Sequence, residues 1–252
     1  MPNQEFLKRI MVELVFGDLT TLDIMMAAAT GFLGFIVLAI AYRMSTAGTP
    51  AWKPRKFVHI SMSSVIGITV LGYSNLSGPA LAAGLFLTVL LYAWAHKSDL
   101  LFTLLLAGSR ENESKLNTFA SGFMGLLAYA IVFIFFQPKP DIFVAAILAV
   151  GWGDAAGEVV GRSVGKHRIG KKTAEGSFGV FLFTLLGLIV ALVLYSGGTS
   201  FITVLPSLVI IGIVIAIIEL IAIGWTDNFF IPLITAFMMW LLLYPSMTLI
   251  IG

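Results

Sequence analysis

The sequence contains no cysteine and few charged residues, and both absences limit the classes of protein to which the chain can belong. Without cysteine among its 252 residues, the chain has no disulfide, catalytic thiol, zinc-thiolate site or iron–sulfur cluster. Only 11% of the residues are charged, whereas 59% are hydrophobic. Because a soluble domain carries roughly 25% charged residues, so much apolar surface could not be covered in water. The composition predicts an integral membrane protein, and the mean hydropathy of +1.00 agrees.

Long apolar stretches indicate membrane-spanning helices rather than a porin-like barrel, whose strands alternate between lipid-facing and lumen-facing residues. A crossing helix needs about 20 mostly apolar residues. The segment 99–108 is too short to cross and is expected to lie at the interface, so the number of spans ranges from seven to nine. We expect an all-α polytopic membrane bundle that forms a single domain over residues 1–252. Eight stretches are predicted to cross: 22–42, 57–73, 79–95, 118–136, 142–160, 178–195, 203–224 and 229–251.

The N-terminal segment 1–20 has apolar residues at helical spacing, with Lys8, Arg9 and Glu13 interspersed. This pattern predicts an amphipathic helix that lies on the membrane surface. No small-residue cleavage site follows a basic start and a short apolar run, so the segment is not expected to be a signal peptide.

The basic residues are distributed unequally between the two sides of the predicted bundle. Twelve of the fifteen lie in the loops after spans one, three, five and seven, and the other side has only Lys8, Arg9 and Lys139. The positive-inside rule makes the first set of loops cytoplasmic and places both termini outside. In a prokaryote, the membrane would be the plasma membrane.

The segment 151–177, at the end of the fifth predicted span, combines carboxylates, glycines and cations. Asp154 and Glu158 are four residues apart, so both project from one face of a helix. Small residues surround them, and a cationic loop at 161–177 follows. Such an arrangement suits a magnesium ion and the polyphosphate that it bridges. The alternative is a helix packed through small residues and followed by an ordinary positive-inside loop, which does not explain two carboxylates at membrane depth.

Two further polar clusters lie at the ends of predicted spans. Arg55, Lys56 and His59 occupy the first turns of the second span and suggest an anchor for a phosphate or lipid headgroup; the alternative is basic residues that snorkel to fix the depth of the helix. Glu219 interrupts the apolar seventh span, so it should face the bundle and meet a cation, a hydroxyl or a proton.

Asp227 and Asn228 follow the seventh span. Both residue types suit a cap of the eighth helix. Asn228 is in addition a candidate for contact with a lipid headgroup or a phosphate. The charge-derived topology brings all three clusters to the cytoplasmic side, as a single active site requires.

The motif GDAAGEVVGRSVGKHRIGKKTAEGS at 153–177 resembles the signature of the CTP-dependent lipid-alcohol kinases, the dolichol kinase, phytol kinase and polyprenol kinase group. The block RK..H at Arg55, Lys56 and His59 is similar to a second family block. The pattern E.......DN...P, from Glu219 to Pro232, is similar to a third. The three blocks occur in the family's order over most of the chain.

The resemblance implies transfer of the γ-phosphate of CTP to the hydroxyl of an isoprenoid alcohol such as phytol, geranylgeraniol or a polyprenol. It also implies that Asp154 holds Mg²⁺, and the spacing of the carboxylates makes Glu158 a second candidate ligand. Glu158, Glu219 and Asp227, in that order, are candidates for the base. The length of the chain is closer to that of phytol kinase and of prokaryotic family members than to that of the eukaryotic dolichol kinases. The candidate nucleotide or phosphate ligands are Arg162, Lys166, Arg168, Lys171, Lys172, Thr173, Glu175, Gly176 and Ser177.

Three other functions remain open at this stage. The lipid acceptor could be diacylglycerol, because an apolar tunnel leaves no sequence motif. A phosphatidate-type cytidylyltransferase would also use CTP and magnesium, but a second acidic motif near the C-terminus is expected for it. An ion-coupled transporter would use Asp154 and Glu219 as ion sites, but the paired broken helices typical of transporters are not evident. No nucleic-acid partner is expected.

Overall fold

A computed structural model describes residues 16–97, 100–109, 114–136, 139–195, 201–223 and 226–247. Most of the predicted N-terminal amphipathic segment, residues 1–15, lies outside these ranges. A small hairpin, β1 (Arg168–Ile169) and β2 (Lys172–Thr173), connects two of the helices. The described helices are α1 (Thr21–Thr46), α2 (Trp52–Thr69), α3 (Ser77–Ala95), α4 (Leu100–Leu106), α5 (Lys115–Phe136), α6 (Pro140–Val164), α7 (Ala174–Tyr195), α8 (Phe201–Ile221) and α9 (Thr226–Leu243).

Seven of these helices are long and apolar enough to cross a membrane, namely all except α2 and α4. The prediction of an all-α polytopic membrane bundle is therefore confirmed. The short α4 spans about 10 Å at 1.5 Å per residue, so it cannot cross, as expected for this segment.

The second predicted span, 57–73, differs from the expectation. It belongs to α2, which starts earlier and continues into a 3₁₀ turn at Val70–Gly72. Three cations, Lys53, Arg55 and Lys56, lie in the first turns of α2 and lower its apolar character. The described residues consequently contain seven clear spans, the lower end of the predicted range. The orientation of the termini stays a prediction, because it depends on whether α2 crosses.

The chain divides into two compact units, Met1–Phe123 and Met124–Gly252, and the single-domain organisation stays a prediction. In the first unit, the start of α1 is joined to the loop after α2 through a carboxylate that sequence reasoning missed. Thr20 and Asp23 form a reciprocal capping box. Asp23, which is fully buried, also accepts a hydrogen bond of 2.8 Å from the backbone N–H of Ser74. The carboxylate therefore satisfies both the helix end and the neighbouring loop.

In the second unit, α6 is the interior helix. In its most apolar stretch 83% of the residues are buried, against 17–39% for the other six spans. It packs against α7 and α9, and α8 packs against both of these helices. Inside α6, the six residues Ala149–Asp154 form a π-helical turn. Such turns widen a helix locally and are frequent at functional sites.

The N-terminal end of α6 is connected to the end of α9. Asp141 is buried and accepts a hydrogen bond from the hydroxyl of Tyr244. The ammonium group of Lys139 lies 4.6 Å from the centre of the Tyr244 ring. Burial and the adjacent Asp141 carboxylate raise the pKa of Tyr244, so the phenol stays protonated and keeps donating. The polar groups of Asp141, Tyr244 and Lys139 therefore contact one another and have a structural role at this end of the unit.

The crossing of α6 and α7 depends on glycine. A Cβ atom added at Gly176 would lie 2.7 Å from the carbonyl oxygen of Gly157 and 3.3 Å from the Cα of Gly161. One added at Gly179 would lie 3.1 Å from the carbonyl oxygen of Ala156. Small residues allow backbones of membrane helices to approach this closely. The small residues of the segment 151–177 therefore admit another backbone, α7.

A first prediction concerns the membrane crossing of α2. Single cysteines at Thr49 and Lys97, introduced into the cysteine-free chain, flank α2 and α3. If both helices cross, as the charge distribution predicts, the two cysteines lie on the cytoplasmic side. A membrane-impermeant maleimide should then leave both unlabelled in intact cells and label both after permeabilisation. Labelling of only one position in intact cells would show that α2 does not cross.

A second prediction concerns the helix crossing. Gly176→Ala should lower the thermal midpoint in detergent, because overpacking against the Gly157 backbone costs about 1–3 kcal/mol. The matched control is Gly84→Ala in α3, where an added Cβ meets nothing within 4 Å. Equal midpoints for the two variants would contradict the proposed role of the crossing.

Candidate functional site

Asp154 ends the π-helical turn of α6 and is only 4% exposed. Tyr129 of α5, a residue that sequence reasoning did not single out, interacts electrostatically with this carboxylate. Glu158 lies one helical turn further along, so the predicted spacing along one helix is confirmed. Its Oε1 atom is 2.9 Å from the Nε atom of Arg162, and the two side chains are 17% and 52% exposed. A buried and a half-buried carboxylate thus follow each other along α6.

The cationic segment is shorter than predicted and is ordered as a hairpin. The expected loop, 161–177, loses its first four residues to α6 and its last four to α7. The remaining connection consists of residues 165–173. It turns at Gly170, which has a φ of 60°, a backbone conformation that favours glycine. Thr173 caps α7, because its Oγ1 accepts a 3.1 Å hydrogen bond from the backbone N–H of Gly176. Lys166, Arg168 and Lys171 are exposed on the hairpin.

Glu175 holds the hairpin to the start of α7. Its carboxylate accepts hydrogen bonds of 3.2 and 3.3 Å from the backbone N–H of His167, and its Oε1 lies 2.6 Å from the Nδ1 of that residue. The imidazole is 81% exposed. Sequence reasoning missed His167, and no local pattern signals it, because its contact with Glu175 requires the hairpin. Glu175 therefore has a specific partner in the hairpin, and its contribution to nucleotide binding stays a prediction.

Lys172 connects the hairpin to α8. Its Nζ atom lies 2.5 Å from the Oε1 of Glu219 and also donates to the main-chain carbonyl of that residue. The side chains are 30% and 8% exposed, respectively. Of the three partners expected for Glu219, a cation, a hydroxyl or a proton, the structure shows a cation. A lysine near the end of a helix also interacts favourably with its terminal carbonyls.

Asp227 and Asn228 lie in the first turn of α9, and both are buried. The Oδ1 atom of Asp227 accepts a 2.8 Å hydrogen bond from the backbone N–H of Asn228. The Thr226 hydroxyl bonds both main-chain groups of Ile223, at 2.9 and 3.0 Å. Asp227 therefore satisfies one N–H group of the first turn from within the helix and not from the residue before it. The capping role of Asn228 stays a prediction.

Arg55, Lys56 and His59 lie in the first unit, in the first turns of α2. Arg55 is 8% and Lys56 is 2% exposed, which differs from snorkelling, where the charged end of the side chain reaches water. Their contribution to a common site stays a prediction.

Within the described ranges, no three His, Asp or Glu side chains come together as a ready-made metal site. Mg²⁺ does not require one, since it commonly uses one or two carboxylates together with substrate phosphates and water. The oxygen donors of Asp154 and Glu158 fit this requirement.

Comparison with known proteins gave no relative. No family model matches the chain, and neither a curated protein nor a solved structure matches it.

A third prediction concerns the ion pair between Lys172 and Glu219. Lys172→Met or Glu219→Gln leaves one partner uncompensated; the cost is about 3–5 kcal/mol for a fully buried pair, and about 1–3 kcal/mol is expected here, because Lys172 is partly exposed. The double variant should be less destabilised than the sum of the single variants when thermal midpoints are compared.

The matched control for this cycle is the more exposed pair on α6. Glu158→Gln and Arg162→Met should each cost less than about 1 kcal/mol, as is typical of exposed i,i+4 pairs. Strict additivity for Lys172 and Glu219 would show that the contact contributes no stability.

Proposed function

We propose that this protein is a membrane phosphotransferase that transfers the γ-phosphate of CTP to the hydroxyl of an isoprenoid alcohol. The observation that carries the proposal is the contact between Lys172 and Glu219, which connects the cationic hairpin to a buried carboxylate on α8. The hairpin also starts directly after the helix that bears Asp154 and Glu158. Acids suited to a metal and bases suited to phosphates are thereby part of one framework.

The charges of this framework suit phosphoryl transfer, which depends on positioning and on charge neutralisation more than on covalent chemistry by the protein. Lys166, Arg168 and Lys171 present three exposed cations on a short hairpin. A triphosphate arriving from the cytoplasm would bind these cations. Lys172, which binds Glu219 in the structure, would contribute its charge from the base of the hairpin.

Asp154 and Glu158 would hold the magnesium ion. The bound ion would neutralise charge on the triphosphate. The position of both carboxylates one helical turn apart on α6 supports this assignment, because carboxylate oxygens are ligands that Mg²⁺ prefers. The preference for CTP rests on the sequence resemblance alone.

In the proposed reaction, the oxygen of the lipid hydroxyl forms a bond to the γ-phosphorus, and the bond from that phosphorus to the bridging β–γ oxygen breaks. CDP leaves, and the hydroxyl proton passes to a carboxylate. Glu158, Glu219 and Asp227 are the proposed acceptors of this proton, in that order. The uncharged alcohol would reach the interface from within the bilayer.

The decisive experiment follows each phosphate of CTP separately. Purified full-length protein in lipid nanodiscs receives CTP labelled at the α or γ position, with magnesium and one acceptor: phytol, geranylgeraniol, a polyprenol, diacylglycerol or phosphatidate. Label from the γ position on an isoprenoid alcohol is the expected result, and ATP serves as the control nucleotide. γ-Label on diacylglycerol would change the acceptor class, and α-label on phosphatidate would indicate a cytidylyltransferase. No transfer would refute the proposal and favour ion-coupled transport.

A fourth prediction uses the same assay. Asp154→Asn should reduce γ-phosphate transfer by at least about a thousandfold, as expected when charge stabilisation in a transition state is lost. Its thermal midpoint should remain close to that of the parent protein. The matched control is Asp18→Asn, which changes an exposed aspartate in the first unit and should retain full activity. Retained turnover in the Asp154 variant would remove this residue from the metal site.

A further inference from the structure

Helices α7 and α8 leave an apolar groove between them, next to the hairpin. It has a volume of about 330 Å³. Phe178 and Phe181 line it on α7, and Ile213 and Ile217 line it on α8. Phe178 and Ile217 are 61% and 53% exposed, so in a membrane this groove would open towards lipid. Its walls suit a hydrocarbon chain.

The groove follows both helices for a similar distance. Its lining extends from Ala174 to Phe181 on α7 and from Ile213 to Leu220 on α8. Seven residues of helix cover about 10 Å at 1.5 Å per residue. This length accommodates the first part of a long chain, while the remainder would lie in the bilayer. Ala216, with its small side chain, contributes to the space in the middle.

One polar group stands out in this apolar lining. The Oγ atom of Ser177 is buried and has no hydrogen-bond partner among the residues that the structure describes. Buried hydroxyls are normally satisfied, so one without a partner requires an explanation. Ser177 lines the groove, while its Oγ atom is itself covered. A rotation about the Cα–Cβ bond to another staggered rotamer would turn the hydroxyl towards the groove, where a ligand would supply the missing partner.

The hairpin end of the groove adjoins the candidate site. Ala174 follows Lys172 by two residues, and Leu220 follows Glu219 directly. The residues that line the groove, all within the described ranges, carry no charge. The groove itself therefore suits an uncharged chain and hydroxyl, whereas the cations belong to the adjoining hairpin.

We propose that this groove binds the hydrocarbon chain of a long-chain alcohol, with the alcohol hydroxyl hydrogen-bonded to Ser177. The inference rests on the proposed function, because the bound alcohol is the acceptor of that reaction. It assigns Ser177 to the lipid and not to the nucleotide, in contrast to the role that its motif implies. The chain would lie between α7 and α8, with its hydroxyl directed towards the Lys172 end.

A fifth prediction tests the groove without any catalytic step. A photoreactive geranylgeraniol analogue with a diazirine near its hydroxyl is irradiated with the full-length protein in phosphatidylcholine nanodiscs, and labelled positions are mapped by mass spectrometry. Label should concentrate on the groove residues of α7 and α8. Unlabelled geranylgeraniol should compete, because it would occupy the same groove.

Three variants sharpen this test. Ala216→Phe fills the groove and should reduce labelling at least about fivefold, while the milder Ala216→Leu should reduce it less. The matched control, Ile210→Phe, changes a residue of the same helix that is 48% exposed and does not line the groove; labelling should stay unchanged. Ser177→Ala should weaken competition by geranylgeraniol about 3- to 10-fold, the usual range for one hydrogen bond.

The two proposals can fail separately. Labelling that is spread evenly over the lipid-facing helices, or that is equal in the Ala216 variants and the parent, would overturn the groove. An unchanged KM for the alcohol in correctly folded Ala216→Leu would also overturn it, even if γ-phosphate transfer is observed. Saturable labelling that depends on Ala216, in a protein that transfers no phosphate, would support the groove as an alcohol site and refute the proposed kinase reaction.

Discussion

The close approach of the α6 and α7 backbones is the constraint on which the candidate site depends. Gly157, Gly161 and Gly176 leave no room for a Cβ atom at the crossing. Because the two helices meet so closely, the connection between them can be short, and residues 165–173 form a tight hairpin. The hairpin in turn brings Lys172 to Glu219. A larger side chain at the crossing would separate the helices and change the position of every group that follows.

The paired charges of the second unit lie near the ends of its helices, and the described contacts explain how they persist. Glu219 meets Lys172, Glu158 meets Arg162, and Asp141 accepts from Tyr244. Pairing compensates the loss of hydration that burial imposes on a charged group. The exposed cations of the hairpin are different, because they face water and suit a diffusible anion.

Much of the fold followed from apolar stretches, because a helix that crosses a bilayer needs a minimum length of apolar residues. α2 was the exception, since three cations in its first turns reduce the apolar character on which the prediction depended. In the candidate site, the need of Glu219 for a partner was predictable from the cost of burying a charge. Its partner was not, because Lys172 is 47 residues away in the chain. The contact of His167 with Glu175 was missed for a related reason, as it requires a hairpin that the glycine-rich loop pattern does not specify.

The sequence by itself determined that the protein is a helical membrane bundle and that 151–177 is the chemically distinctive segment. Composition and spacing are sufficient for this, because the bilayer imposes the same length and polarity requirements on every helix. Only the tertiary structure decided which glycines serve helix packing, which cation meets Glu219 and where Ser177 lies. These properties depend on distances between residues that are remote in the chain. Local sequence patterns do not encode such distances, which are set by the packing of α6, α7 and α8.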